Sequence, residues 1–338
     1  MNNVFELYKE VASAFGPSGR ETKVREVISS IAKKYVDDVY TDTLGNLICR
    51  KRPPVGSQEN VRKIAFAAHM DSIGVVVTYI DDNGFLRFSN IGGIEIQDFF
   101  HTQVRFENGI HGIISHEEKT ELSKLKINNL YIDIGAKSRE QAEEMVSIGD
   151  FAVFTSPMFE QNGVISGAYI DDRIGCIALL MTMMKLPQTV NHDLYFVFTV
   201  QEEVGLRGAT TAAYALEPDI AIAIDVTDTG DLPEHKYPMA CHMGKGPAIK
   251  VMDRSVLCSQ TVRSALEEAA LVAAIPVQRE ILQFGGTDTA AFQRSRAGVE
   301  VGAISIPTRY IHTPNEMCSV NDVIQTSTLL LTAITQTL

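Results

Sequence analysis

Tryptophan is absent from the 338 residues, and the five cysteines are scattered without a Cys-x-x-Cys pair. An odd number of dispersed cysteines argues against a disulfide framework and against a zinc site built on thiolates. Any metal site in this chain must therefore use nitrogen and oxygen ligands.

Basic clusters and long apolar runs are also lacking. The formal net charge is −12 and no basic run exceeds Arg50-Lys51-Arg52, whereas a duplex-binding surface requires clustered Lys and Arg. No apolar run reaches the roughly 18 residues that span a bilayer. The N-terminus has no basic stretch followed by an apolar core, so it does not resemble a signal peptide. We therefore expect a cytoplasmic protein that binds neither nucleic acid nor membrane.

The remaining composition, 45% hydrophobic and 21% charged, is that of a globular protein long enough for two domains. Apolar runs predict strands, several of them buried on both faces, and segments with helical spacing predict helices between them. This alternation predicts an α/β fold with a mainly parallel sheet covered by helices on both faces. The predicted strands are 64–68, 194–200, 220–224, 277–282 and 299–306, and the predicted helices are 176–184, 208–216, 260–273 and 321–337.

Between residues 73 and 158 the pattern changes to short apolar runs separated by Asn-Gly and Gly-Gly turns. Such spacing is typical of a small all-β unit. We therefore predict a β domain, 73–158, inserted into an α/β domain formed by 1–72 and 159–338. Near the N-terminus, Ser18 followed by Glu21 matches a capping box and predicts that a helix begins there.

Side chains that commonly bind metals follow four of the predicted strands. Ligands of open parallel sheets gather beyond the carboxyl ends of the strands. Each motif alone is more often a surface polar pair or a turn, but four such strand ends together predict one site. The residues are His69 and Asp71 after strand 64–68, Glu202 and Glu203 after 194–200, Asp225 after 220–224, and His312 after 299–306.

Each side chain has a plausible chemical task. His69 offers a neutral imidazole ligand, and Asp71 is placed to orient it. Glu202 and Glu203 point in different directions, so one can bind metal while the other accepts a proton from a metal-activated water. A carboxylate of the Gly-rich turn at Asp171-Asp172 offers a bridge between two ions.

These motifs resemble the tetrahedral aminopeptidases, a group that includes glutamyl and deblocking aminopeptidases and some proteins labelled endoglucanase. The resemblance covers nearly the whole chain, because five spaced motifs match in order. They are Ala68-His69-Met70-Asp71, Ile170-Asp171-Asp172-Arg173-Ile174-Gly175, Val200-Gln201-Glu202-Glu203-Val204-Gly205, Ile224-Asp225-Val226 and Arg309-Tyr310-Ile311-His312-Thr313-Pro314.

The resemblance implies a zinc-aminopeptidase-like fold and a pair of divalent metal ions. Asp171 would bridge both ions. His69 and Asp225 would complete one site, and Glu203 and His312 the other. Zinc, cobalt and manganese all suit such ligands, and zinc or cobalt is expected.

The resemblance also implies an activity and an assembly. Glu202 would be the general base of an aminopeptidase that removes N-terminal residues from peptides, and Asp71 would orient His69. The peptide bond between Asp171 and Asp172 would be cis. The β domain, barrel-like, would mediate dimers, and usually hollow assemblies of twelve subunits.

Two other functions remain open at this stage. A glycoside hydrolase needs two carboxylates flanking the scissile bond, but it leaves the histidines unexplained and lacks tryptophan for stacking sugars. A non-catalytic scaffold would be expected to lose a ligand or the base, yet every position is filled. The roles of Arg173, Asp228, Asp231 and Asp288 and the preferred N-terminal residue are left open. The other histidines are expected to be surface or packing residues: His101, His111, His116, His192, His235 and His242.

Overall fold

The computed structural model describes residues 3–56, 60–234 and 238–338. Its α-helices are α1 (Val4–Ala12), α2 (Thr22–Ala32), α3 (Arg139–Glu143), α4 (Ile170–Met183), α5 (Arg207–Leu216), α6 (Gln260–Val272), α7 (Thr289–Gln293) and α8 (Val320–Thr332). Its strands are β1 (Asp38–Thr41), β2 (Leu47–Lys51), β3 (Lys63–His69), β4 (Gly74–Ile80), β5 (Leu86–Ile91), β6 (Gln103–Phe106), β7 (His111–His116), β8 (Leu130–Asp133), β9 (Phe151–Thr155), β10 (Phe159–Gln161), β11 (Val164–Gly167), β12 (Asp193–Thr199), β13 (Ile220–Thr227), β14 (Ala248–Met252), β15 (Gln278–Ile281), β16 (Glu300–Arg309) and β17 (Glu316–Ser319).

The larger sheet is mixed, with a parallel centre. Its main path runs β1-β2-β12-β3-β13-β16-β17-β11-β10, while β14 pairs with β15 and β16. The pairs β12–β3, β3–β13 and β13–β16 are parallel, and the flanking pairs β1–β2, β2–β12 and β16–β17 are antiparallel. The α/β character predicted from the sequence is confirmed, but a mainly parallel sheet is found only at the centre of the main path, in the four strands that precede the predicted site residues.

Helices pack against opposite faces of this sheet because alternate residues of a strand point to opposite sides. Phe66 of β3 belongs to an apolar cluster that also contains Ile177 of α4. Its neighbour Ala67 belongs to a different cluster, with Ala212 of α5 and Phe292 of α7. Both faces of β3 are therefore covered by apolar side chains, which explains why the strand reads as a continuous apolar run.

Six short strands form a separate, closed barrel in the order β4-β5-β8-β7-β6-β9. Its interior contains side chains such as Val75, Phe88 and Ile132. The same cluster includes Phe15 and Tyr169 from outside the barrel. The barrel therefore packs directly on the segment that leads into α4.

The capping box predicted at Ser18 is wrong. Helix α2 begins at Thr22, its N-cap residue is Glu21, and no side chain caps it. Instead, the Ser18 hydroxyl donates to Oδ2 of Asp71 at 2.6 Å. Oε1 of Glu21 accepts hydrogen bonds from the backbone amides of Gly19 and Gln201. Both side chains support the edge of the sheet where the predicted site residues lie, rather than a helix end.

Among the described residues, none of the helices combines the length and the apolar character that crossing a membrane requires.

Candidate metal centre

The parallel strands bring their carboxyl ends, and the predicted ligands, to one edge of the sheet. His69 is the last residue of β3, opposite Thr199 at the end of the parallel strand β12. Asp225 lies near the end of β13, opposite Ser305 of β16. Glu203 follows β12, and the chain continues beyond β16 to His312. Parallel strands share one polarity, so these side chains, far apart in sequence, lie around one space.

Asp171 reaches the same space from the first turn of α4. The backbone there is not helical at Asp171 and Asp172, and the peptide bond between them is cis, as the resemblance implied. Asp172 belongs to neither group of potential ligands, and its carboxylate accepts a hydrogen bond from Gly175 N at 3.0 Å. The two adjacent acids therefore face different surroundings, and only Asp171 lies among the predicted ligands.

The two oxygens of Asp171 face two different histidines. Oδ1 lies 3.0 Å from Nε2 of His69, and Oδ2 lies 3.3 Å from Nε2 of His312. On the first side, Oδ1 of Asp225 lies 3.8 Å from Nε2 of His69. On the second side, Oε2 of Glu203 lies 3.3 Å from Nε2 of His312. The structure thus forms two triads of potential ligands that share Asp171, each with its ligand atoms within 4.8 Å of one another.

The donor set fits two divalent cations. Three carboxylates and two imidazoles crowd together, and Oε1 of Glu203 is buried without a hydrogen-bond partner in the described structure. Burial and the negative charge of Asp171 raise the pKa of Glu203 to about 7, although His312 opposes this. Burial and the charge of Asp171 also raise the pKa of Asp225. Cations bound between these groups would offset the cost of burying several like charges together.

The histidines respond to the same carboxylates in the opposite sense. Burial alone would lower the pKa of His312, but Glu203 and Asp171 raise it to about 10. The pKa of His69 is likewise raised by Asp171 and Asp71 against the effect of burial. Both imidazoles therefore lie in a strongly negative environment, which is also the environment that attracts a cation.

Asp71 makes its shortest contacts with backbone and hydroxyl groups. Its Oδ1 accepts a hydrogen bond from Glu202 N at 3.0 Å, and its Oδ2 accepts one from Glu203 N at 3.3 Å. The distance from Oδ1 to Nδ1 of His69 is 3.6 Å, while the backbone carbonyl of Asp71 lies at 3.3 Å from that nitrogen. Asp71 thus lies beside His69 and also holds the two glutamates in place.

Glu202 lines a cavity of about 850 Å³ together with all five predicted ligands. Its pKa is raised by burial and by the charges of Asp225, Asp288 and Glu203, against the effect of His69. Beyond these groups the cavity is lined by apolar residues such as Ile94, Leu282 and Phe284. Three further acids, Glu95, Asp98 and Asp228, also line it, and no Lys or Arg of the described chain does.

The four residues whose roles the sequence left open make different contacts in the structure. Asp228 lines the cavity, whereas Asp231 forms an ion pair with Arg309 at 2.8 Å. Asp288 is buried and accepts a hydrogen bond from Thr199 at the end of β12. Burial raises the pKa of Asp288 to about 6. Arg173 does not pair with Asp172, and its guanidinium donates to the carbonyls of Val11 and Gly16 instead.

The remaining histidines lie outside the two triads. This holds for the five that the structure describes, His101, His111, His116, His192 and His242. His235 lies outside the described residues.

Sequence reasoning missed Glu316, which is buried at the start of β17. Its carboxylate accepts hydrogen bonds from the backbone amides of Asp171 and His312. Burial and the charge of Asp171 raise its pKa. An acid four residues after a predicted ligand, as in His312-Thr313-Pro314-Asn315-Glu316, is a signal that a closer reading of the sequence could have used.

Comparisons with known proteins show that this chain is similar to aminopeptidases. The chain matches the family model described as M42 glutamyl aminopeptidase over residues 45–329. A presumptive aminopeptidase of Acetivibrio thermocellus is 48% identical over 98% of this chain and 98% of its own length. An aminopeptidase structure from the archaeon Desulfurococcus kamchatkensis has 36% identity and a TM-score of 0.93, covering 98% of this chain and 94% of its own. The TET1 peptidase of Pyrococcus horikoshii, described as able to assemble into a tetrahedron or a large octahedral shell, has 34% identity and a TM-score of 0.85, with 98% and 99% coverage.

Proposed function

This chain belongs to the M42 glutamyl aminopeptidase family, and from that premise we propose that it removes N-terminal residues from peptides by metal-dependent hydrolysis. The observation that carries the proposal is the placement of Asp171, whose two carboxylate oxygens face His69 and His312 separately. Asp225 and Glu203 complete the two triads. We assign Asp171 as the shared ligand of two divalent ions, with zinc or cobalt expected and manganese as the alternative.

A pair of divalent ions bound there would polarise the peptide carbonyl and make a water molecule easier to deprotonate. The protein groups carry the proton transfers. Glu202 accepts the proton of the attacking water and later returns it to the leaving amine. Asp71 fixes the position of Glu202 through the backbone amide and orients His69. The rest of the peptide occupies the cavity in front of these groups.

Replacing Glu202 tests the assignment of the general base. Glu202→Gln keeps the size of the side chain but cannot accept the proton, so we expect kcat to fall by about 100- to 10,000-fold. The metal content should stay close to that of the unmodified protein, because Glu202 belongs to neither triad. Kinetics on an aminoacyl p-nitroanilide and metal analysis of the same preparation provide the two measurements.

Glu268→Gln is the matched control, since Glu268 is exposed on α6. This variant should be as active as the unmodified protein. Full activity of Glu202→Gln would remove Glu202 from its assigned role.

The other two functions considered from the sequence predict different results in two enzyme assays. A glycoside hydrolase would release sugar from carboxymethyl cellulose without cleaving aminoacyl substrates. A non-catalytic scaffold would cleave neither. We expect hydrolysis of the aminoacyl substrate, abolished by a chelator and restored by zinc or cobalt, and no release of sugar.

We also propose that the protein self-associates through the barrel of residues 73–158, with a twelve-subunit shell as the expected form. The support is the similarity to the TET1 peptidase of Pyrococcus horikoshii, which can assemble into closed shells. Native mass spectrometry distinguishes a monomer or dimer from twelve subunits. A monomer at micromolar concentration would contradict the proposed assembly without affecting the proposed chemistry.

A further inference from the structure

Glu316 joins two parts of the chain that each provide a predicted ligand. The residue is 1% exposed and begins β17. Its Oε2 accepts a hydrogen bond from Asp171 N at 3.0 Å, and its Oε1 accepts one from His312 N at 2.9 Å. Each carboxylate oxygen therefore holds the backbone amide of one residue whose side chain belongs to the triad of Asp171, Glu203 and His312.

The two amides come from segments with unusual backbones. Asp171 lies in the non-helical first turn of α4. His312 lies in the loop after β16 with a φ of +64°, in a region that residues with a Cβ adopt rarely. A fixed acceptor for each amide stabilises both backbones and brings Nε2 of His312 to 3.3 Å from Oδ2 of Asp171.

The position of Glu316 requires a side chain that carries two acceptor atoms and is as long as glutamate. A glutamine places an NH₂ group where one oxygen stood, so that group would face an N–H donor. An aspartate is one methylene shorter and cannot reach both amides from the same backbone position. A glutamate at this position presents one carboxylate oxygen to each of the two amides.

We propose that Glu316 is a positioning residue for the metal centre, which sets the separation of Asp171 and His312 by holding their backbone amides on its two oxygens. The proposal rests on the metal centre of the function proposed above. Glu316 belongs to neither triad and does not line the cavity. It acts by orienting two ligands. Its loss should therefore weaken metal affinity, while the chemical step at saturating metal should change much less.

Asp322 provides a matched control within the same chain. It is also fully buried, and its two oxygens also accept hydrogen bonds from two backbone amides, those of Gly244 at 2.6 Å and Gly246 at 3.0 Å. It lies in the first turn of α8 and belongs to neither triad. Asp322→Asn therefore removes the same kind of buried clamp without touching the backbone of a predicted ligand.

The test is a titration of Zn²⁺ into chelator-treated full-length protein, against a competing chromophoric chelator. For Glu316→Gln we expect the weaker of two Zn²⁺ sites to lose affinity by about 10- to 100-fold. Asp322→Asn should lower the thermal unfolding temperature of the metal-free protein to a comparable degree and leave both Zn²⁺ affinities unchanged. At saturating Zn²⁺, Glu316→Gln should recover a large part of its kcat.

Two outcomes would overturn the proposal. Unchanged Zn²⁺ affinity in Glu316→Gln would show that the clamp is only structural, as would an equal loss of affinity in Asp322→Asn. If Glu316→Gln does not fold, Glu316→Asp replaces it with the same expected loss of affinity. An unmodified protein that binds no Zn²⁺, Co²⁺ or Mn²⁺ would refute the metal centre itself. If it binds a metal but does not cleave peptides, the proposed activity fails and the Glu316 result still stands.

Discussion

Arg173, whose role the sequence left open, makes its hydrogen bonds with backbone carbonyls. Its side chain is fully buried, and its guanidinium donates to the carbonyls of Val11 and Gly16 at 3.4 and 3.1 Å. Burial lowers its pKa, while the negative charges of neighbours such as Asp71 oppose this. The residue thereby ties the end of α1 and the following turn to the start of α4.

We expect Arg173→Ala to lower the free energy of unfolding by about 3 kcal/mol, because it removes one donor from each of two carbonyls and opens a cavity at a fully buried side chain. Denaturant unfolding followed by circular dichroism measures the change. Arg207→Ala, at an exposed position of α5, should change the stability by no more than about 0.5 kcal/mol. Equal effects of the two variants would mean that the buried guanidinium contributes nothing specific.

At the scale of elements, the first turns of α4 require a residue without a side chain at position 175, which is Gly175. A Cβ added at Gly175 would lie 2.4 Å from both carboxylate oxygens of Asp172. Those oxygens are close because Asp172 accepts a hydrogen bond from Gly175 N. The helix approaches its own preceding acid so closely that only glycine fits.

Gly175→Ala should therefore destabilise the protein, although alanine in a helix interior is normally about 1 kcal/mol better than glycine. We expect a loss of about 1–3 kcal/mol from overpacking, with weaker Zn²⁺ binding because Asp171 precedes the displaced Asp172. Thermal unfolding and Zn²⁺ titration test both effects. The control is Ser264→Ala on the exposed side of α6, which should be neutral or slightly stabilising. A stabilised Gly175→Ala protein would contradict the packing argument.

The barrel contributes charge to the cavity through the short 3₁₀ turn Ile96–Phe99 and the residue before it. Glu95 and Asp98 line the cavity, and burial together with the charge of Glu95 raises the pKa of Asp98. Apolar side chains such as Ile94 and Leu282 lie in the same lining. A long aliphatic side chain that ends in a cation matches this combination.

We therefore expect a higher kcat/KM for substrates that begin with Lys or Arg than for those that begin with Glu. The double variant Glu95→Gln, Asp98→Asn should lower the ratio of kcat/KM for a Lys substrate to kcat/KM for a Glu substrate by about tenfold. This change corresponds to about 1.4 kcal/mol. Glu118→Gln, on an exposed part of the barrel away from the cavity, should leave the ratio unchanged. A preference for Glu in the unmodified protein would contradict this expectation.

At the scale of the whole molecule, the candidate centre joins elements from both ends of the chain. Its two triads take residues from β3, from α4, from β13, and from the segments after β12 and β16. Ions that bind this arrangement bind the folded protein and not the dispersed ligands of the unfolded chain. Binding must therefore stabilise the fold as a whole.

Chelation should lower the thermal unfolding temperature, and adding Zn²⁺ or Co²⁺ should restore it. At a hundredfold excess over Kd, one bound ion contributes about 2.7 kcal/mol to the free energy of unfolding. Differential scanning calorimetry with and without chelator measures the shift. Asp171→Asn, which weakens the ligand shared by both triads, should make the unfolding temperature nearly independent of chelator. A shift of equal size in that variant would mean that the ions act elsewhere.

Much of the candidate site was predictable because residue types that commonly bind metals directly follow the predicted strands. Apolar runs such as 64–68 and 220–224 mark buried strands, and His69 and Asp225 follow directly or nearly so. Parallel strands share one polarity, which is enough to bring such residues to one edge. The mixed outer strands of the sheet were not predictable, since antiparallel and parallel partners of a buried strand have the same apolar pattern.

The sequence by itself determined which side chains come together, two imidazoles and three carboxylates in a fixed order, and that the chain belongs to the M42 family. Only the tertiary structure decided how those groups are held. The amide of Asp171 is bound by Glu316, 145 residues away, and the amide of Glu202 by Asp71, 131 residues away. Such hydrogen bonds, from a backbone amide to a distant carboxylate, leave no recognisable pattern in the sequence. Every residue other than proline presents the same N–H group, so the sequence does not show which amide a carboxylate will bind.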